Sequence, residues 1–266
     1  MSISGYYFKF DNISSKPYHL IIANIKTNST ETVIDGKKEY QTMMLQNRFH
    51  IMDRKIKEPL TFEMEIVSDT SNLAITDNQH RAITKWLFDR MQYHKLEIMS
   101  ETYEDVYFNC TLTESKKYEY GVGLIGYYCT VTCDASWAWE REKTNSYTIT
   151  SSPYSFNFIN TSDDEDTMHP YVVITCGSTG GTISITNLED VDDDGVSNVI
   201  QFTGLSANEV ITIDNLGQVT SSTGNSKYDT WNHNRLNLIS GDNHITITGD
   251  VTKLAITYQN ARRIGV

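Results

Sequence analysis

Leu60, Phe62, Met64 and Ile66 alternate with Thr61, Glu63, Glu65 and Val67, the period of two expected of a strand that turns one face to a core. A second run of the same kind holds Ile125, Tyr127, Cys129, Val131 and Cys133, with Tyr128, Thr130 and Thr132 on the other face. Between Glu31-Thr32-Val33-Ile34 and a polar stretch through Tyr40 stands Asp35-Gly36, a pair that supplies the positive φ angles of a tight hairpin turn. From Asn78 to His94 the period changes. Ile83, Trp86, Leu87 and Met91 recur at helical spacing and so share one helix face. Thr76, Asp77 and Asn78 stand where a side-chain oxygen accepts bonds from the free N–H groups of a first turn. Trp86 and Leu87 on that face read as anchors onto a sheet rather than as walls of a ligand pocket.

After Trp137-Ala138-Trp139 the stretch 140–146 is almost wholly polar; it buries too little to fold by itself and reads as a linker. The expected division is therefore 1–145 and 146–266. Beyond it, short β-branched runs are punctuated by turn residues: Tyr171 to Cys176, Thr182 to Thr186, Val199 to Phe202, Val210 to Asp214, His244 to Thr248 and Lys253 to Tyr258. No helical period lies among them, which points to an antiparallel sandwich rather than an α/β unit. Ile183/Ile185, Ile211/Ile213, Ile245/Ile247 and Leu254/Ile256/Tyr258 each place apolar groups on one side, as two sheets packed face to face require. The fold class is thus mainly β with one α-helix near 78–94.

A chain of 266 residues exceeds the size at which one core usually stops growing, which supports two domains. The 16 Tyr, 9 Phe and 4 Trp suit half-buried strands. The formal charge of −12 is uneven: residues 1–150 carry 17 basic and 20 acidic side chains, residues 151–266 carry 5 and 14. Neither half offers the basic stripe that phosphate contacts need, which argues against sequence-specific nucleic-acid binding or an anionic membrane as partner. No run approaches the roughly 20 apolar residues of a bilayer span. The opening MSISGYYFKF is too polar for a secretory signal, so the chain is expected to be made and kept in cytoplasm until something releases it. Cys110, Cys129, Cys133 and Cys176 are too few for a disulfide scaffold and read as buried free thiols; Cys129 and Cys133, about 13 Å apart on one strand face at ~3.3 Å per residue, cannot bridge each other.

Candidate chemistry is sparse. Asp190, Asp192 and Asp194 followed by Gly195 fit the first half of a calcium-binding EF-hand loop, but Gln201 stands where the closing bidentate Glu belongs, and strands flank the run. A solvated acidic turn fits better than a calcium cage, and no metal or cofactor is expected. The run 163–166, Asp-Asp-Glu-Asp, reads as a charged loop that keeps a strand edge from pairing with strangers. There is no G-x-S-x-G elbow, the seven His are scattered without metal-ligand spacing, and the cysteines sit inside strand patterns; no catalytic residue is assigned and no enzyme is expected. Gly121-Val-Gly123 and Gly177-Ser-Thr-Gly-Gly181 precede strands and read as turns, not phosphate cradles. Trp231 and His233, between Asn232 and Asn234, could stack and hydrogen-bond a sugar, or cap a sandwich end; the cap is the plainer reading.

Several segments in order resemble the distal tail protein family of long-tailed bacteriophages. They are Tyr7-Phe8-Lys9-Phe10-Asp11-Asn12-Ile13-Ser14-Ser15, the helix around Ile83, Trp86 and Leu87 followed by Tyr93 to Leu96, and Thr132-Cys133-Asp134 leading to Trp137 and Trp139. The last two are Gly241 to Gly249 and Leu254 to Tyr258, ending in Arg262-Arg263-Ile264-Gly265. The resemblance implies an N-terminal belt domain whose copies form a hexameric ring, and a C-terminal galectin-like β-sandwich, where the label concerns fold and not sugar binding. It also implies a structural virion role at the tail tip or baseplate, assembled in the host bacterial cytoplasm. Implied partners are the tail tube protein, a tail-associated hub protein and the receptor-binding apparatus, with a channel for the tape-measure protein and later DNA. A two-module lectin and a tail-associated hydrolase are the other readings. For the ring contact, the 31–39 hairpin or the strand pair around Leu60 to Val67 is expected, because polar-faced strands in an early domain need an edge partner.

Overall fold

A computed structural model describes residues 5–26, 38–45, 48–56, 59–69, 74–121, 123–164, 166–192 and 194–263. The chain divides into two units, Met1–Glu140 with Ala261–Val266, and Arg141–Asn260. The fold is mainly β, with one α-helix among the described residues.

In the first unit the strands are β1 (Phe8–Phe10), β2 (Ile13–Ser14), β3 (Leu20–Lys26), β4 (Lys38–Leu45), β5 (Arg48–Ile56) and β6 (Thr61–Ser68). Helix α1 (Asp77–Leu87) follows, then β7 (His94–Ile98), β8 (Val106–Tyr120), β9 (Gly123–Cys133) and β10 (Ala138–Glu140). The main sheet runs β2-β1-β7-β8-β9-β6-β3. It curls until its ends meet: Tyr6, just before β1, bridges Ile22 in β3, and Gly5 N–H donates to the Ile22 carbonyl at 2.7 Å. The strand read from Leu60 to Val67 is β6, and its alternation holds because Leu60, Phe62, Met64 and Ile66 are buried inside this closed sheet. Gly126 lets β9 approach β6 closely; a Cβ there would fall 2.2 Å from the Ile66 carbonyl oxygen. Ala138 and Trp139 pair with Arg262 and Ala261, so the last described residues return to the first unit.

Helix α1 begins as expected and stops early. Thr76 caps it, with Gln79 N–H donating to the Thr76 hydroxyl and Thr76 N–H donating to Gln79 Oε1 at 2.9 Å, a reciprocal capping box. Ile83, Trp86 and Leu87 are buried as the period required. Trp86 stacks on Tyr18 at 4.9 Å and on Phe8 at 5.8 Å, and its indole N–H donates to the Phe10 carbonyl at 2.9 Å. The expectation that the helix reaches His94 is overturned: Met91 is fully exposed, and His94 opens β7, whose pairing with β1 and β8 overrides one more helical turn.

The second unit contains β11 (Lys143–Thr148), β12 (Tyr154–Asn160), β13 (Tyr171–Cys176), β14 (Gly181–Val191), β15 (Ser197–Leu205), β16 (Val210–Ile213), β17 (Val219–Ser221), β18 (Gly241–Thr248) and β19 (Val251–Tyr258). They form a five-stranded sheet, β11-β19-β13-β16-β17, and a four-stranded sheet, β12-β18-β14-β15, all antiparallel. Ile183, Ile185, Phe202, Ile245 and Ile247 from one sheet and Val172, Ile174, Ile211, Ile213, Leu254 and Ile256 from the other share one core, so the unit is a sandwich. All six expected strands are present. The linker reading of 140–146 is overturned from Lys143 onward, where β11 pairs with β19 from Lys143↔Tyr258 to Thr148↔Lys253. Its polarity is that of an edge strand whose outer face meets solvent. The unit begins at Arg141, not at 146, because these first strand residues belong to its sheet.

Candidate functional site

Cys110, Cys129, Cys133 and Cys176 are all free and buried. Burial pushes the Cys129 and Cys133 thiols up to about 12 and Cys176 to about 11, and raises Cys110 well above the ordinary thiol range, so none supplies a thiolate at neutral pH. Four histidines have close polar partners: His19 meets Asp69 at 3.4 Å, His94 meets Asp11 at 3.1 Å, His244 meets Glu189, and His80 Nδ1 meets the Tyr127 hydroxyl at 2.9 Å and the Thr84 hydroxyl at 3.3 Å. No three His, Cys, Asp or Glu side chains converge to hold a metal among the described residues.

Asp190 lies near the end of β14, Asp192 and Asp194 lie in the turn before β15, and the first two carboxylates are engaged locally. Asp192 Oδ1 accepts from the N–H groups of Asp194 at 3.0 Å and Val196 at 2.8 Å, and Asp190 Oδ2 accepts from Asn198 Nδ2 at 2.7 Å. Gly195 takes φ +78 in this turn. The Gly177–Gly181 turn does cradle an anion, but one of its own: the Asp250 carboxylate accepts from Thr179 N–H at 2.6 Å and Gly180 N–H at 3.0 Å. The Thr179 hydroxyl and those amides, against an opposing desolvation, hold Asp250 below the usual carboxylate range.

Trp231 and His233 come together, at 5.0 Å between rings, with Tyr228 at 4.5 Å from His233. The Trp231 ring also stacks on buried Phe202 at 6.0 Å, and its N–H donates to the Asn234 carbonyl at 3.0 Å. Asn232 and Asn234 both donate to the Val199 carbonyl, at 2.6 and 2.9 Å, and Asn232 Oδ1 accepts from Gln201 N–H at 3.0 Å. The segment is thus laced along the outer edge of β15 and closes it.

The surfaces left open are strand edges. β6 is not one of them: β9 and β3 flank it on both sides, which overturns the expectation that it offers an edge to a neighbour. Most of the expected 31–39 hairpin lies outside the described residues; its second arm, Lys38–Tyr40, pairs with Ile56, Lys55 and Arg54. β4 and β5 form a two-stranded sheet of their own, with eight register pairs from Lys38↔Ile56 to Leu45↔Arg48 and no third strand among the described residues. Sequence reasoning passed over this hairpin, although Tyr40, Thr42 and Met44, and Phe49 and Ile51, carry the period of two. It also passed over Glu209 and Lys227, a buried pair at 2.6 Å in which Glu209 additionally accepts from the Ser221 hydroxyl at 2.5 Å and Ser206 N–H at 2.7 Å.

The fold is a closed β unit followed by a β-sandwich, and among the described residues the β4–β5 hairpin has no third strand. Residues 3–135 match the phage tail protein N-terminal domain family and residues 137–258 the phage tail C-terminal domain family; the chain belongs to the phage tail proteins and is a virion component. Comparison with curated protein sequences gives no match. Among solved structures the chain is similar to the Dit protein (gp 19.1) of phage SPP1, described as a paradigm of the hub adsorption apparatus in phages infecting Gram-positive bacteria. The TM-score is 0.68 at 9% identity, covering 96% of this chain and 99% of that one. A chain of the phage P2 baseplate in its activated conformation with calcium is also similar, with TM-score 0.51, 11% identity, and coverage of 98% and 99%. Both are likenesses of fold.

Proposed function

We propose that this chain is a distal tail protein, a non-enzymatic ring-former that joins the tail tube to the baseplate and receptor-binding apparatus. The observation that carries the reading is the fold likeness to the SPP1 hub protein over nearly the full length of both chains. The first unit forms a hexameric ring around a channel for the tape-measure protein and DNA, and the second meets other tail-tip proteins. A net charge of −12 suits a lumen through which DNA slides without sticking. Trp231 and His233 serve as the cap of a sandwich edge, and Asp190, Asp192 and Asp194 as a turn.

The β4–β5 hairpin is the ring contact in this reading. An isolated two-stranded sheet is marginal in water, and its outer backbone donors and acceptors, which no third strand meets among the described residues, are completed by strands of an identical neighbour. Native mass measurement and negative-stain imaging of the full chain, alone and mixed with its tail tube protein, test this. Six-fold rings are expected, and replacing Thr42 and Ile51 by proline leaves a folded chain that no longer closes them. A chain that stays monomeric in both settings, or a proline variant that assembles as well as the parent, overturns the proposal.

A further inference from the structure

We propose that Cys110 and Cys133 are a latent disulfide site, two thiols set opposite one another across β8 and β9 that a low-molecular-weight disulfide closes into a cross-strand bond. The two are register partners. Asp134 N–H donates to the Asn109 carbonyl at 2.9 Å, which makes 109 and 134 a hydrogen-bonded pair, while Cys133 N–H points the other way and donates to the Leu60 carbonyl at 2.9 Å. Cys110 and Cys133 are therefore a non-hydrogen-bonded pair. Such pairs bring Cα atoms to about 4.5 Å, inside the ~4.4–6.8 Å range that a disulfide spans.

Cys129 is the nearby thiol that the geometry leaves out. It sits four residues from Cys133 on the same strand face, about 13 Å away at ~3.3 Å per residue. Its thiol donates to the Met64 carbonyl at 3.5 Å on the β6 side, and opposite it β8 bulges between Thr113 and Lys116. Both paired thiols are fully buried and their ionisation is suppressed by that burial. The reaction is therefore slow and passes through openings of the strand pair rather than through the closed state.

The chemistry balances by thiol–disulfide exchange. The thiolate of one cysteine attacks oxidised glutathione, breaking its S–S bond, forming a mixed disulfide and releasing one glutathione. The second thiolate attacks the protein sulfur of that mixed disulfide, forming the Cys110–Cys133 bond and releasing another glutathione; the two protons given up by the protein thiols are taken up by the two departing glutathione thiolates. A compartment rich in reduced thiols holds the site open, and an oxidising medium closes it.

The full chain incubated with excess oxidised glutathione, in buffer and in urea below its unfolding transition, tests the site by intact mass and peptide mapping. Expected is the loss of two hydrogens and one cross-linked peptide pair joining Cys110 to Cys133, closing faster in urea, with a thermal midpoint raised by several degrees. Cys129→Ser and Cys176→Ser variants close equally well. The parent chain suffices for the decisive reading if a variant fails to fold. A cross-link through Cys129, or free thiols persisting at 110 and 133 while hydrogen exchange shows β8 and β9 opening, overturns the proposal.

Discussion

At the scale of single residues, the most consequential polar contact lies inside the sandwich. The Glu209 side chain is wholly buried and Lys227 nearly so. Desolvation alone would push the Glu209 carboxyl up, but the bond from Lys227, with those from Ser221 and Ser206, outweighs it and holds the carboxyl below its usual range. A buried charge is tolerated only when paired and hydrogen-bonded. Lys227→Met leaves the carboxylate without its partner and is expected to cost about 3–5 kcal/mol. The sign with pH follows from linkage. A carboxyl depressed in the folded state stabilises above its unfolded pKa, near ~4.3, and that stabilisation is lost as pH falls through the lower folded value. In the variant the stranded carboxyl is easier to protonate, so the gap between parent and variant narrows on acidification. Urea unfolding of both chains at pH 7 and pH 4 reads this directly, and a gap that widens at pH 4 contradicts it.

Among the elements, α1 separates what sequence carries from what it omits. The cap at Thr76 and the buried face at Ile83, Trp86 and Leu87 were legible because capping and helical period are local. The end was not: Met91 continues the period, yet β7 claims the chain from His94, and pairing with β1 is a contact across more than eighty residues. The same asymmetry explains β11. Lys143–Thr148 lacks apolar alternation because it is an edge strand, and only its partner β19 identifies it. Strands buried on one face, such as β6, β9 and β13, announced themselves. The candidate surfaces were less legible, since an edge is defined by which strands fail to pair: β6 looked available and is internal, whereas the β4–β5 hairpin went unnoticed. The helix boundary makes a direct test. Trp86→Ala removes a ring stacked on Phe8 and Tyr18 and is expected to cost about 3–5 kcal/mol, while Met91→Ala stays within about 0.5 kcal/mol. Denaturant midpoints of the two variants decide; a large loss at Met91 would place it in the core after all.

For the whole molecule, the division into units rests on strand membership rather than on a polar stretch. The chain leaves the first unit at Glu140 and re-enters it at Ala261, so the second unit is an insertion between β10 and its partner residues Ala261 and Arg262. A unit with its own core, here nineteen buried side chains from Ile149 to Ile256, folds alone if the cut spares its sheets. The fragment 141–260 keeps all of β11 and ends before the returning pair. The fragment 146–266 removes Lys143, Thr144 and Asn145, half of the β11–β19 register, and carries Ala261 and Arg262 without Trp139 and Ala138 to pair with. Losing those strand pairs uncovers the edge of β19 from Ile256, which is fully buried, to Tyr258, and leaves backbone donors and acceptors unmet. The shorter fragment is therefore expected to unfold cooperatively with the higher thermal midpoint, by several degrees, and to show slow amide exchange along β19. Calorimetry and exchange on the two fragments provide the comparison; equal midpoints, or protection of β19 from Ile256 to Tyr258 that survives the loss of 141–145, would mean that Lys143 to Asn145 contribute nothing to the sandwich and that the polar stretch is a linker after all.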